Sequence, residues 1–352
     1  MRHWKALLGA FLVLPTLGGL ISGCASAQAK GGATLYDLAG RASVEVLVGG
    51  RMEGCGWFAD PNGLVMTAAH VVWEKKGAIE LISPAEGRIP AQLAAIDLGH
   101  DLALLTVARR SKPYPALPVA KDIPAPGEDV YLYGAPVFRH DMMLRGSPAQ
   151  IAPTYEYSPV WQDHIRVYHI AGPSPKGTSG GCWIDGQGRV VGSQSGMISE
   201  RDISVGVCYV TAPGDIRQFL ASRRTAATAF LGAVVEELCE RPREFIARFP
   251  AGQSGLVVAS VREGSPAQKA GVARDTLITA VNGRSVAYRD EFLDIIRAKR
   301  PGSEVTLRII ASPGAPPRDV KIALGCLETA AKPPVATQPG KPATSKAVGF
   351  RG

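Results

Sequence analysis

The stretch "PKGTSGGCW", Pro175 to Trp183, sets a serine among three glycines. Glycine clusters punctuate turns everywhere, so Ser179 is either a nucleophile held on a tight turn or part of an ordinary loop. The residues upstream bear on the choice. "VMTAAHVV" puts His70 at the end of a strand-like run, and "GHDLALL" puts Asp101 at the head of another. The chain order is His, Asp, Ser. Acyl transfer needs these three types together. A serine hydroxyl is a poor nucleophile at neutral pH, a histidine must take and return its proton, and a buried aspartate must fix the imidazole tautomer. Asp97 competes for the carboxylate role, and the "DLALL" context favours Asp101. The glycines then have a purpose. Gly177 and Ser179 can turn backbone N–H groups toward one point, an oxyanion hole whose single donor is worth roughly 2.7–4 kcal/mol in the transition state. A side chain at Gly177 would oppose that backbone conformation.

Working outward, short β runs bounded by Gly, Pro and Asn fill two series, which predicts a mostly β fold. The spans are 42–110 and 127–212 inside a unit covering 42–222. A proline-rich crossing, Ser111 to Glu128, separates the two series; it cannot continue a ladder. A second unit covers 226–327. "FLGAVVEEL" and "GLVVASV" read as strands, and "SPAQKAG" as a short helix capped by Ser265 and stopped by Gly271. "RDEFLDIIRAKRPG" reads as a helix with Phe292, Ile295 and Ile296 on one face. Residues 328–352 lack periodicity and are expected to be disordered.

The N-terminus has a basic start and an apolar run from Ala6 to Ile21, the pattern of an export signal over 1–23. "ISGC" resembles a bacterial lipobox, with Cys24 as the lipidation site and 24–41 as a tether. An ordinary cleavable signal cut near Ala25 to Ala27 is the alternative. The net charge of +8 is spread along the chain, without interleaved aromatics or a nucleic-acid module, so no nucleic acid is expected. His100, His140, His164 and His169 have no metal-like spacing, and neither metal nor cofactor is expected.

"TAAH", "DLALL" and "GTSGG", in this order inside two β series, resemble the trypsin-fold serine proteases. "FLGA", "GSPAQKAG" and "TLITAVNG" resemble a PDZ domain. The pair after an export signal resembles the HtrA family of envelope proteases. That resemblance implies two perpendicular Greek-key β-barrels followed by a small α+β PDZ domain, with catalysis in the cleft between the barrels. It implies endoproteolysis of unfolded or regulatory proteins, often by homotrimers, at the periplasmic side of a membrane. A non-catalytic chaperone or binding protein on the same folds is the competing class. Thr178 stands where the family carries Asn, Cys182 where it carries Pro, and Arg274 where it carries Gly. Pro173 near the pocket base offers no counterion, so small or medium aliphatic P1 residues are expected. The PDZ resemblance places a C-terminal carboxylate at Leu231 and Gly232. Phe230, Ala233, Phe292, Ile295 and Ile296 complete the peptide groove, with ordinary core as the alternative for each apolar residue. It also suggests a Cys239–Cys326 disulfide, and the protease resemblance a Cys182–Cys208 one, with Cys55 left over; five small buried hydrophobes are the alternative.

Overall fold

A computed structural model describes residues 33–140, 142–200 and 203–330. The expected export signal, Cys24 and the segment from 331 onward lie outside the described residues.

The first barrel is built from β1 (Ser43–Val48), β2 (Arg51–Phe58), β3 (Leu64–Ala68), β4 (Ile79–Ser83), β5 (Gly87–Asp97) and β6 (Leu102–Val107). They close in the order β1-β2-β3-β6-β5-β4. Because β4 returns beside β1, strands β1 to β4 form a Greek key. Helix α1 (Leu35–Ala42) precedes the barrel and α2 (Ala69–Val72) follows β3 directly. Strands β1 and β6 are buried on nearly every residue, as expected of walls covered on both faces.

The second sheet contains β7 (Val130–Gly134), β8 (Met142–Pro148), β9 (Thr154–Ser158), β10 (Asp163–Ala171), β11 (Cys182–Asp185), β12 (Val190–Glu200) and β13 (Ile203–Thr211). Its order is β13-β12-β11-β7-β8-β10-β9, and a further β13–β10 pairing closes it into a second barrel with β9 attached. Trp57 and Trp183 are fully buried. The prolines of 111–128 hold the crossing between the barrels, as their missing donors require. Helix α3 (Pro213–Ser222) ends at Arg223, which adopts left-handed backbone.

The third unit is an α+β layer: β14 (Ala229–Phe230), β15 (Ala233–Glu237), β16 (Leu256–Val261), β17 (Leu277–Val281), β18 (Arg284–Ser285), β19 (Glu304–Ile310), β20 (Arg318–Ala323) and β21 (Gly325–Cys326). Its helices are α4 (Arg243–Ile246), α5 (Pro266–Lys269) and α6 (Arg289–Arg297). Ser265 caps α5 as expected, its hydroxyl accepting from Gln268 N–H at 3.2 Å. The unit is docked on the second barrel through α6. Thr154 Oγ1 donates to Asp290 at 2.6 Å, Tyr155 Oη to Asp294 at 3.0 Å, and Arg297 meets Asp163 at 3.2 Å.

Five expectations are corrected. The tether is not wholly extended: residues 35–42 form α1, closed by a capping box between Thr34 and Asp37, with Ala39 and Ala42 buried. Glu328 does not begin a disordered tail. It is buried and accepts from Thr228 N–H, Thr228 Oγ1 and Leu98 N–H. The run "FLGAVVEEL" is not one strand, because Gly232 (φ +79°) breaks it into β14 and β15, which belong to different sheets. That break also defeats the Cys239–Cys326 pairing. Cys326 sits opposite Ala229 on β14, whereas Cys239 follows β15, and both are free thiols. Cys182 and Cys208 are free as well, with β12 between their strands. Neighbouring strands lie about 4.8 Å apart, so two strand spacings exceed the roughly 7 Å a disulfide spans.

Candidate active site

The site forms where the two barrels meet. Its nucleophile turn presses so closely on barrel one that glycine is obligatory. A Cβ at Gly180 (φ +78°) would lie 2.3 Å from both Cys55 O and Thr67 Oγ1. A Cβ at Gly54 would lie 2.6 Å from Ser179 O and 2.7 Å from Val71 Cγ2. Cys55 N–H donates to Ser179 O at 2.7 Å. The "GCG" of β2 and the "GTSGG" turn therefore interlock and set Ser179 against the helix that carries His70.

His70 lies in the single turn of α2. Its backbone N–H donates to Asp101 Oδ1 at 3.0 Å, and its ring Nδ1 meets Asp101 Oδ2 at 2.7 Å. A carboxylate can only accept, so the proton resides on Nδ1 and Nε2 is left as the ring's acceptor nitrogen. Asp101 is 2% exposed and has left-handed backbone, φ +53°. A non-glycine residue held there is strained, a feature that concentrates at functional sites. Its carbonyl accepts from Ala69 N–H at 3.1 Å, tying it to α2. Burial pulls the His70 pKa down, but the charge and hydrogen bond of Asp101 outweigh it, and the net direction is up.

The structure thus joins His70 to Asp101 and sets both beside the turn of Ser179. Among the described residues Ser179 Oγ has no hydrogen bond, which is common before substrate tightens a site. Asp97 does not share the site; its carboxylate is taken by His100, Nδ1 to Oδ2 at 2.8 Å. Ser195 was missed as a partner. Its Oγ donates to Asp101 Oδ2, the oxygen that also receives His70 Nδ1.

Gly177 has φ +96°, and a Cβ there would lie 2.5 Å from Ala135 O. The neighbouring Thr178 does no harm in the position where Asn was expected. Its hydroxyl donates to Pro175 O at 2.8 Å and closes the turn. Cys55 stays a thiol and donates to Gly177 O at 3.1 Å; burial pushes its pKa up to about 12. On the pocket side, Gln194 is 1% exposed and fully engaged. Its amide donates to Ser174 Oγ and Gly196 O, and its carbonyl accepts from Trp183 Nε1 at 2.7 Å.

In the third unit, Leu231, Gly232 and Ala233 are buried, and β15 is an edge strand. Phe230, 2% exposed, lies on β14, which pairs with β21, and its ring stands against the backbone of Gly232, where a Cβ would lie 2.9 Å from its Cζ. Phe292 and Ile296, each 1% exposed, belong to the unit's own core, because α6 must bury one face against the sheet. Ile295 is half-buried. Among the described residues no three His, Cys, Asp or Glu side chains converge as a metal site would need.

Residues 54–192 match the trypsin-like peptidase domain and residues 230–312 match the PDZ domain. The chain thus carries a trypsin-like peptidase domain followed by a PDZ domain. It is 25% identical over 281 residues to a probable periplasmic serine endoprotease, DegP-like, of Pseudomonas fulva, covering 78% of this chain and 56% of the relative. It is 26% identical over 273 residues to serine protease HTRA1 of Xenopus tropicalis, covering 73% and 57%. The chain spans little more than half the length of these relatives. Among solved structures, "HtrA-type protease AlgW with decapeptide" superposes with a TM-score of 0.60 at 16% identity, over 84% of this chain and 99% of that one. The serine endoprotease from Yersinia pestis superposes at 0.57 and 18% identity, over 83% and 96%. These likenesses show the fold.

Proposed function

We propose that the chain is a serine endoprotease that works through an acyl-enzyme. His70 Nε2 takes the Ser179 proton as Oγ attacks the scissile carbonyl. Gly177 and Ser179 N–H groups receive the developing oxyanion. The imidazolium, held by Asp101, returns the proton to the leaving amine as the C–N bond breaks. Water then attacks the ester with His70 again as base. The observation that carries this reading is the Asp101 carboxylate, which holds both N–H groups of His70 beside the Ser179 turn. The test is labelling by a fluorophosphonate together with casein digestion, in wild type and Ser179→Ala. Labelled, active wild type with an inert variant is expected. Casein that binds but is cut by neither protein would favour the non-catalytic class.

Further readings rest on weaker support. Relatives named periplasmic favour the bacterial envelope as location, with the lipobox-like "ISGC" adding an anchor at Cys24. Unfolded or regulatory proteins are the substrate class, and a homotrimer the assembly, by family likeness. Leu231, Gly232, Ala233 and Ile295, beside the free edge of β15, are the part of the groove proposed to receive a peptide C-terminus by strand addition.

A further inference from the structure

The turn after β7 contains two bulky residues in left-handed backbone, Val137 (φ +53°) and Phe138 (φ +56°). L side chains avoid this region, a β-branched valine most of all, and such strain persists only where the surroundings hold it. Here the holding bonds lie against the nucleophile turn. Val137 N–H donates to Lys176 O at 2.5 Å, and Phe138 N–H to Ala135 O at 3.0 Å. With the Lys176 carbonyl pinned to Val137, the Gly177 N–H, on the opposite side of a trans peptide, is turned away from the strained turn. The same backbone pushes apolar side chains into water: Phe138 is 50% exposed and Val137 63%. The Phe138 ring lies beside Gly177, where an added Cβ would come 3.3 Å from its Cδ1.

The flank can be assigned. β12 borders the other end of the nucleophile turn, where Gly180 N–H donates to Gln194 O and Gln194 N–H to Gly181 O. β2 borders this end. Gly54 abuts Val71 beside His70, while the Cys55 thiol accepts from Ala135 N–H at 3.4 Å and donates to Gly177 O. Phe138 therefore stands on the flank of the histidine that protonates the leaving amine.

We infer that Phe138, with Val137 beside it, forms a substrate subsite for an apolar side chain on the leaving-group side of the scissile bond. This rests on the serine protease reading and adds a specificity element to it. The test compares peptides that differ only in the three residues after the scissile bond. Wild type should favour Leu over Ser there by about 10-fold in kcat/KM, the low end for an apolar contact in a pocket. Phe138→Asn, whose new side chain tolerates left-handed backbone, should lose most of that ratio, and Phe138→Tyr should keep it. Fluorophosphonate labelling of Ser179 checks that each protein retains its nucleophile. A ratio preserved in Phe138→Asn, including one preserved while all rates fall together, overturns the subsite. A preference that changes instead for residues before the scissile bond overturns its placement. Failure of wild type to label overturns the protease reading itself, and the subsite with it.

Discussion

Two histidine–aspartate pairs sit at the two ends of the loop 97–101, and they are built alike. In each, the carboxylate accepts the histidine backbone N–H on one oxygen and approaches ring Nδ1 with the other. The distances are 3.0 and 2.7 Å for His70 on Asp101, and 3.2 and 2.8 Å for His100 on Asp97. In each, burial pulls the imidazole pKa down and the aspartate more than restores it. They differ in what lies beyond the ring. His100 Nε2 is 3.8 Å from Asp215, which Arg166 holds at 2.7 Å. His70 has no second carboxylate; the Ser179 turn and its glycines lie on its flank. A dyad is therefore not a catalyst by itself. Flanked by two carboxylates, His100 is stabilised as a cation and serves as a structural tie. His70 has one carboxylate, Asp101, and in the proposed mechanism its neutral form acts as the base for Ser179.

The largest effect should separate the pairs outright. Ser179→Ala or His70→Ala should lower kcat/KM about 10⁴–10⁶-fold, because the groups act as a unit. Asp101→Asn should cost about 10⁴-fold through the wrong tautomer. His100→Ala and Asp97→Asn should stay within about 10-fold of wild type, the scale of a single ordinary hydrogen bond. A His100 variant as inactive as a His70 variant would dissolve the distinction.

Ser195→Ala should come next. It removes a hydrogen bond to the charged Asp101, a class worth about 1.5–3 kcal/mol. A fall of about 10- to 100-fold in kcat with little change in KM is expected from steady-state kinetics on one peptide. An unchanged kcat would reduce Ser195 to packing.

The pairs should also differ in how pH reads out on them. Only neutral His70 can accept the serine proton, so activity should rise with pH through its raised pKa. Stability runs the other way. For a histidine whose folded pKa is raised, the contribution of the pair is complete below the unfolded value, about 6.5, and is lost as pH climbs through the folded value. Melting temperature should thus fall modestly as pH rises from about 6.5 past the folded values, and less so in His100→Asn. A melting curve insensitive to pH in wild type would contradict both raised values.

The smallest effect is a titration. Asp215→Asn removes the second carboxylate facing His100 and should bring its pKa down, with His70 unmoved, in histidine proton resonances followed against pH. A parallel shift at both rings would mean that the pairs are coupled through the loop between them.

The proposed triad of His70, Asp101 and Ser179 was legible because chemistry restricts such sites to few residue kinds, and because His70 and Asp101 stand close to strand ends. The two barrels were legible from repeated short β runs. Ser195 was not recognisable as a partner, since it lies 94 residues from Asp101 and meets it only where β12 crosses the loop. Nothing in the sequence sets Val137 and Phe138 apart from other apolar residues; their left-handed backbone and exposure are visible only in the folded chain. The Cys182–Cys208 pairing failed because β12 lies between their strands, and Cys239–Cys326 for a different reason. Spacing along the chain says which strands exist, but Gly232 decides which sheet each half joins.

Local composition thus carried what depends on local chemistry: a proton acceptor, a nucleophile, and glycines where backbones crowd to 2.3 Å of an absent side chain. That Ser195 reaches Asp101, and that α6 seats the third unit on the second barrel, followed from how separate units of the chain meet. Those contacts depend on long-range packing and strain, and each is settled by atoms that are neighbours only after the whole chain has closed.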